Sequence, residues 1–526
     1  MCRTHKYNQP ILAITYEDKS SQVIPRTPTL LRRSGLLTKQ TQLLLKYIES
    51  RPILPFRLSN TSQKCVTQII QMVHHSSVHT PSYELRDIPS TEMTECMTTF
   101  ENSRESQMIP PSIWTGIRTA KKIGRLVTVQ LHGRTIHVYL ILPQSSTHSR
   151  LFSSAKLADS FFTICARRII VWLDIALRFS GKECATTLDC YLFFTDDLKK
   201  LPKFPAQHIE TIEGGSKSIT PKHANTAFTY SCVPSSKIVL FRMEEWFKVF
   251  IHESFHCFGL DFSQMNIAES NRHMSKLFPK CQSNMDFRIY ETYCETWAET
   301  INAVFVAYSQ EPHLGENVVG CRSLRGNREN NQKHTRKITG KDTVKHRART
   351  YTFGQTHITR IIKRVEHFIR RERMFTLFQM SKVLHHNGLQ YTDLCSTLEI
   401  DSTNTKPTPY TEETQVFAYY IVKSILLFYL NEFIEWCHRH NGSSTVLFFK
   451  KTNGNIREYG NLIERLYMLP EFVTIVKTES NKYSRYISSN LCYSRRNDAR
   501  CFVCELHKSS HESNLKDTLR MSLYEI

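Results

Sequence analysis

The order of two periodicities along the 526 residues predicts an α+β fold. Two-residue alternation comes first. Leu126-Val127-Thr128-Val129-Gln130-Leu131, the pair His132-Gly133 and then Thr135 to Ile141 read as a β-hairpin, because successive strand side chains point to opposite faces. Helical spacing follows and, after Thr352, dominates. A sheet first and helices after it is the α+β order: a sheet covered by helices, followed by a mainly helical lobe.

Taken in order, residues 1–110 are rich in Ser and Thr, with a candidate helix at Leu36 to Ile48 and a polar stretch at Thr91 to Met108; no function is assigned to them. Residues 111–310 hold the hairpin and a helix at Ala155 to Ser180, marked by Leu157, Phe161, Ile164, Ile169 and Trp172. A strand at Leu188 to Phe194 and two motif-bearing helices complete that region. Residues 311–355 form a basic linker or loop in which Arg322, Arg325, Lys333, Arg336, Lys337 and Lys341 stand among few apolar residues. Residues 356–480 form the helical lobe, with long helices expected at His357 to His386 and Glu412 to His440 and a shorter one at Asn461 to Met468. Residues 481–526 form a tail containing Cys492, Cys501, Cys504, His507 and His511; it lacks the second Cys-x-x-Cys of a structural zinc site, so reduced cysteines are expected there.

The chemistry concentrates at Ile251 to Phe262. His252-Glu253-x-x-His256 places two imidazoles one helical turn apart on one face, where each can give a nitrogen to Zn²⁺. Glu253 lies beside the first imidazole, so its carboxylate reaches a water on the metal rather than the metal, as a general base does. The motif is short, and context supports it. The run from Glu244 to Ile251 has no Pro or Gly, its two carboxylates suit a helix N-terminus, and Gly259 suits a helix end. Asp261 falls out of step with a third ligand and is expected to point elsewhere, as is Cys257, about 100° around the helix from His256.

A second helix, Tyr290 to Ala303, carries Glu291, Glu295 and Glu299 at i, i+4 and i+8. Like charges so spaced repel, and a metal would relieve them. Here the chain resembles the gluzincin metallopeptidases, whose third ligand is a Glu in a Glu-x-x-Ala-Asp type helix. Glu295-x-x-Ala298-Glu299 is similar, with Glu for Asp. The resemblance implies a zincin-like catalytic lobe, Glu295 as third ligand and Glu299 bracing a ligating imidazole. It extends upstream: Asn225-Thr226-Ala227-Phe228 is similar to an edge strand that binds substrate backbone through Asn225 and Ala227, with Lys237 to Phe241 as the return. The stretch is also similar to metallopeptidases encoded by large DNA viruses.

Composition bounds the rest. The formal net charge of +21 favours acidic partners, among them nucleic acid. There are 16 scattered cysteines, and the first residues carry no apolar run of signal-peptide length, so mostly reduced thiols and an intracellular setting are expected. Val416 to Leu430 is the nearest approach to a membrane span, but Lys423 interrupts it and it reads as a core helix. The functional expectation is a metallopeptidase with one catalytic zinc, ligands His252, His256 and Glu295, and Glu253 as general base. The rival is a zincin-fold scaffold without turnover that binds nucleic acid or protein; the presence of Glu253 speaks against it.

Overall fold

The computed structural model describes residues 54–145, 154–202, 218–311, 353–395, 409–442, 446–492 and 516–524, with a few isolated positions between them. The basic stretch 312–352 and the cysteines and histidines of 501–511 lie outside the described residues.

The architecture is α+β. Six strands form one mixed sheet in the order β1-β2-β3-β4-β6-β5, and helices cover both faces. β1 (Glu84–Asp87) lies antiparallel to β2 (Lys122–Leu131), and β2 pairs with β3 (Arg134–Pro143) across the His132-Gly133 turn. Both turn residues have positive φ, 50° and 75°, the backbone of a tight turn whose twist matches its strands. β3 runs parallel to β4 (Thr187–Phe193) after a crossover through a long helix (Ala155–Leu177), and β4 runs parallel to β6 (Ser235–Leu240). β5 (Ala227–Thr229) closes the order as an antiparallel edge strand.

Strand alternation divides the core. Val138, Leu140, Leu192, Ile238 and Leu240 face the main hydrophobic cluster. Leu126, Ile141, Tyr191, Phe193 and Val239 face a smaller one closed by Phe100, Ile113 and Ile117 of two short helices, Ser90–Glu101 and Pro111–Thr119. Residues 60–119 therefore belong to the sheet's layers: β1 extends the sheet, and the helix Asn60–Val78 packs on Ala155–Leu177. The main cluster runs without a break from the sheet into the C-terminal helices.

Two helices matter most for the site. The first, which we call α1, spans Trp246–Cys257; the second, α2, spans Ile289–Ser309 and packs against it. All twelve residues of α1 are buried. Trp172 stacks on Phe255 at 6.1 Å between ring centroids and fixes α1 beneath the sheet. Glu244 and Glu245 do not serve as exposed charges at a helix start. Glu245 is the residue preceding the helix, has φ 59°, and is ion-paired with buried Lys199; Glu244 accepts the Lys199 backbone N–H at 2.8 Å.

α1 ends as Gly259 suggested. Gly259 has φ +61°, its N–H donates to His256 C=O at 3.0 Å, and the Leu260 N–H reaches back to Phe255 C=O at 2.8 Å, a Schellman closure. A Cβ on Gly259 would lie 3.2 Å from both Cys184 Sγ and Cys232 Cβ. Those two cysteines form a disulfide, which corrects the expectation of reduced thiols at these positions. Cys65, Cys165, Cys190, Cys257, Cys294, Cys395 and Cys437 are buried free thiols.

The helical lobe differs from expectation in one respect that bears on the site. Glu412 to His440 is not one helix. A π-helical turn, Phe417–Val422, leads into Lys423–Phe428, and the chain bends by 88° before Leu430–Asn441. No single helix among the described residues is long and apolar enough to cross a membrane; this bent pair passes only when its halves are joined, and its second half buries one face while Glu432 and Arg439 are exposed. Further on, Asn453–Leu466 is longer than the sequence suggested, and Pro470 opens a helix, Pro470–Cys492, instead of ending one. Residues 516–524 thread back to α1: the backbone N–H of Met521 donates to Glu245 Oε1 at 2.9 Å, and Leu519, Met521 and Leu523 are buried.

The Gly259 turn generates a stability prediction. Gly259→Val forces a branched side chain into left-handed backbone and against the disulfide, and is expected to cost about 2 kcal/mol or more. Urea denaturation of the two proteins checks it; equal midpoints would show that the turn tolerates a side chain.

Candidate functional site

α1 and α2 cross so that three side chains converge. His252 Nε2 and His256 Nε2 lie 3.2 Å apart, and Glu291 Oε2 lies 3.0 Å from the first and 3.3 Å from the second. All three residues are buried. The other nitrogen of each ring is engaged by a carboxylate: His252 Nδ1 with Glu295 Oε2 at 3.0 Å, and His256 Nδ1 with Asp261 Oδ2 at 2.6 Å. An ionised carboxylate can only accept, so each ring in its neutral form carries its proton on Nδ1 and presents a bare Nε2 lone pair to the shared space. Two lone pairs and a carboxylate oxygen then meet with nothing positive among them.

The trio that the structure brings together differs from the expected His252, His256 and Glu295 by one helical turn. Glu295 does not join the two Nε2 atoms; Glu291 does. Glu295 takes the bracing position assigned to Glu299, with one oxygen on His252 and the other on Lys248. Glu299 touches neither His252 nor His256 and pairs with Lys423, Oε2 to Nζ 2.7 Å. Asp261, expected to point elsewhere, braces His256, because the left-handed Gly259 turns the chain back over the end of α1. Ser263 Oγ holds the second Asp261 oxygen at 3.0 Å.

Glu253 is 8% exposed, and among the described residues no hydrogen bond engages its carboxylate. It lines a cavity of about 30 Å³ together with His252, Asn225, Thr226, Ala227, Lys248, Tyr419 and Met521. That volume holds one or two water molecules. Asn225 and Ala227 thus reach the site from the edge-strand side. The Asn225 side-chain oxygen is occupied, accepting from Thr414 Oγ1 at 2.8 Å. Thr226 Oγ1 has no hydrogen-bond partner among the described residues, although the residue is 4% exposed.

Tyr419 was not singled out from the sequence. It lies in the π-helical turn, its hydroxyl donates to Glu291 Oε2 at 3.2 Å, and its ring meets the His252 ring edge-on at 5.9 Å. Single π-helical turns inside helices occur often at functional sites, where the extra residue redirects a side chain. In the sequence Tyr419 is one aromatic among many in an apolar run, and no local spacing marks it.

The electrostatics follow from burial and these pairings. Burial opposes charge on His252, but Glu291 and Glu295 outweigh it and lift its pKa from 6.5 to about 9. Burial likewise opposes charge on His256, yet neighbouring Glu291 and Asp261 help to push it well above the ordinary range. Glu291 is pulled far below an ordinary carboxylate: the two imidazoles overcome its burial. Glu253 shifts the other way, raised by burial although both imidazoles draw it down. A carboxyl raised in this way sits nearer the working range of a general base.

These shifts set a pH dependence for protein kept in chelator. A histidine raised from 6.5 to about 9 stabilises the fold fully below pH 6.5, and that contribution is lost as pH rises through 9. Glu291, depressed, contributes above the usual carboxylate range and is lost in acid. Stability of the chelated protein is therefore expected to fall between about pH 6.5 and 9. Urea midpoints across that range check the sign, and His252→Gln should flatten the slope; a midpoint that rises with pH would contradict the assignment.

Comparison of the chain with family models, with curated proteins and with solved structures returned no match.

Proposed function

We propose that the chain is a zinc-dependent hydrolase of peptide bonds with a zincin-like catalytic lobe. One observation carries the metal reading: two Nε2 atoms and a carboxylate oxygen, 3.0–3.3 Å apart, in a buried space where both Nδ1 atoms are already committed. Tetrahedral zinc with bonds of about 2.0–2.1 Å separates neighbouring ligand atoms by roughly 3.3–3.4 Å. A donor set of two imidazoles and one carboxylate leaves a fourth position open, which distinguishes catalytic from structural zinc. His252, His256 and Glu291 would hold the ion. The mixed sheet with its antiparallel edge strand β5 beside α1 supports the zincin-like reading of the lobe.

Zinc, when bound, supplies Lewis acidity that polarises a carbonyl and makes a water acidic near neutral pH. The chain's own residues do the rest. Glu253, unengaged and facing the small cavity, takes the proton of the attacking water and passes it to the leaving amine. Glu295 and Asp261 keep the two rings in one tautomer and orientation. Tyr419, with its hydroxyl beside Glu291, is the group available to donate a hydrogen bond to the oxygen on which charge develops. The edge strand offers a substrate backbone the free side of β5, with Ala227 and Asn225 nearest the cavity.

Four variants test the reading. Glu253→Gln is expected to keep zinc and lose peptide hydrolysis by about 10³-fold or more. Glu291→Ala is expected to purify without zinc, whereas Glu295→Ala should weaken zinc binding by roughly 10–100-fold, as loss of a carboxylate behind a ligating His does. Tyr419→Phe should keep zinc and lower kcat by about 10²-fold. Metal analysis with peptide-library cleavage reads all four. A zinc-loaded Glu253→Gln protein of full activity would remove the mechanism, and zinc retained by Glu291→Ala but lost by Glu295→Ala would restore the other register.

A further inference from the structure

Lys248 lies four residues before His252 on α1, and therefore on the same face one turn away. It is 2% exposed. Its ammonium pairs with Glu295 Oε1, while Glu295 Oε2 meets His252 Nδ1 at 3.0 Å. The two oxygens of one carboxylate are thus divided between a fixed cation and a ring nitrogen. The Lys248 ammonium also meets Met521 Sδ at 3.8 Å, and Glu245 and Glu299 act on it electrostatically from further away. Lys423, the next cation, is 3.9 Å from Glu295 Oε1 and is committed to Glu299 at 2.7 Å and to Met521 C=O at 3.0 Å.

A buried ion pair is weak evidence of stabilisation, because removing both charges from water offsets most of their attraction. The Lys248 ammonium does something an apolar side chain could not. Bound to Oε1, it fixes the plane of the Glu295 carboxylate, so that Oε2 stays against His252 Nδ1. An anionic Glu295 can only accept, which keeps the proton on Nδ1 and the lone pair on Nε2.

We propose that Lys248 is a positioning residue for the metal: by fixing the Glu295 carboxylate against His252 Nδ1, it holds the ring with Nε2 turned to the site. The inference rests on the zinc reading above and adds a residue outside the ligands and their direct partners. Among the described residues no cation pairs with Asp261, the partner of His256; the Ser263 hydroxyl holds it.

The test measures zinc affinity by chelator competition and the visible absorption of the Co²⁺-loaded full chain. Lys248→Met is expected to weaken zinc by roughly 10–100-fold and to alter the Co²⁺ bands, since the ring no longer has a fixed orientation. If that variant does not fold, Lys248→Gln keeps a polar side chain beside Glu295 and removes only the cation, and the same loss and spectral change are expected. A lysine serving only stability would leave the Co²⁺ spectrum of the folded variant unchanged. Wild-type zinc affinity and spectrum in the folded variant overturn the proposal while leaving the zinc site standing. Failure of the wild-type chain to bind either ion overturns the zinc reading and this inference with it.

Discussion

Three electron-rich atoms share one buried space, and the surrounding structure is arranged to keep them there. Were either imidazole free to turn, it would carry its proton to Nε2 and end the conflict. Glu295 and Asp261 prevent this by occupying both Nδ1 positions. The remaining relief is a cation, either protons or a metal. The upward displacement of both histidines and the downward displacement of Glu291 express the same demand.

Much of the fold serves that arrangement. The sheet and the helix Ala155–Leu177 clamp α1 from one side, and α2 meets it from the other at the register that brings Glu291 to both rings. The Schellman turn at Gly259 sends the chain back so that Asp261 reaches His256, and the Cys184–Cys232 disulfide backs that turn. A ladder of buried ion pairs, Lys199 with Glu245, Lys248 with Glu295 and Lys423 with Glu299, lies behind the site. Such pairs contribute little net stability and much orientation.

What was legible in the sequence was local. The hairpin, the crossover helix and His252-Glu253-x-x-His256 depend on spacing within a few residues, and each stands where the periodicity placed it. What was not legible depends on a crossing or a turn. Glu291, Glu295 and Glu299 share one face of α2, so the choice among them is a translation of about 6 Å along a helix axis, fixed by packing against α1 and by no feature of α2 itself. Asp261 was dismissed on the geometry of a regular backbone, and one left-handed glycine invalidates that premise. Tyr419 arrives from 128 residues beyond Glu291, in a π-helical turn that no apolar periodicity announces. The acidic stripe, which a surface reading would expose to water, is buried because side chains on other segments meet it: two histidines and Tyr419 at Glu291, lysines at Glu295 and Glu299.

Zinc K-edge X-ray absorption of the purified protein reads the ion and its neighbours together. The account predicts one zinc per chain with only nitrogen and oxygen neighbours at about 2.0–2.2 Å, including the outer-shell scattering of two imidazoles. No bound zinc, or sulfur neighbours near 2.3 Å, would contradict a site built from His252, His256 and Glu291.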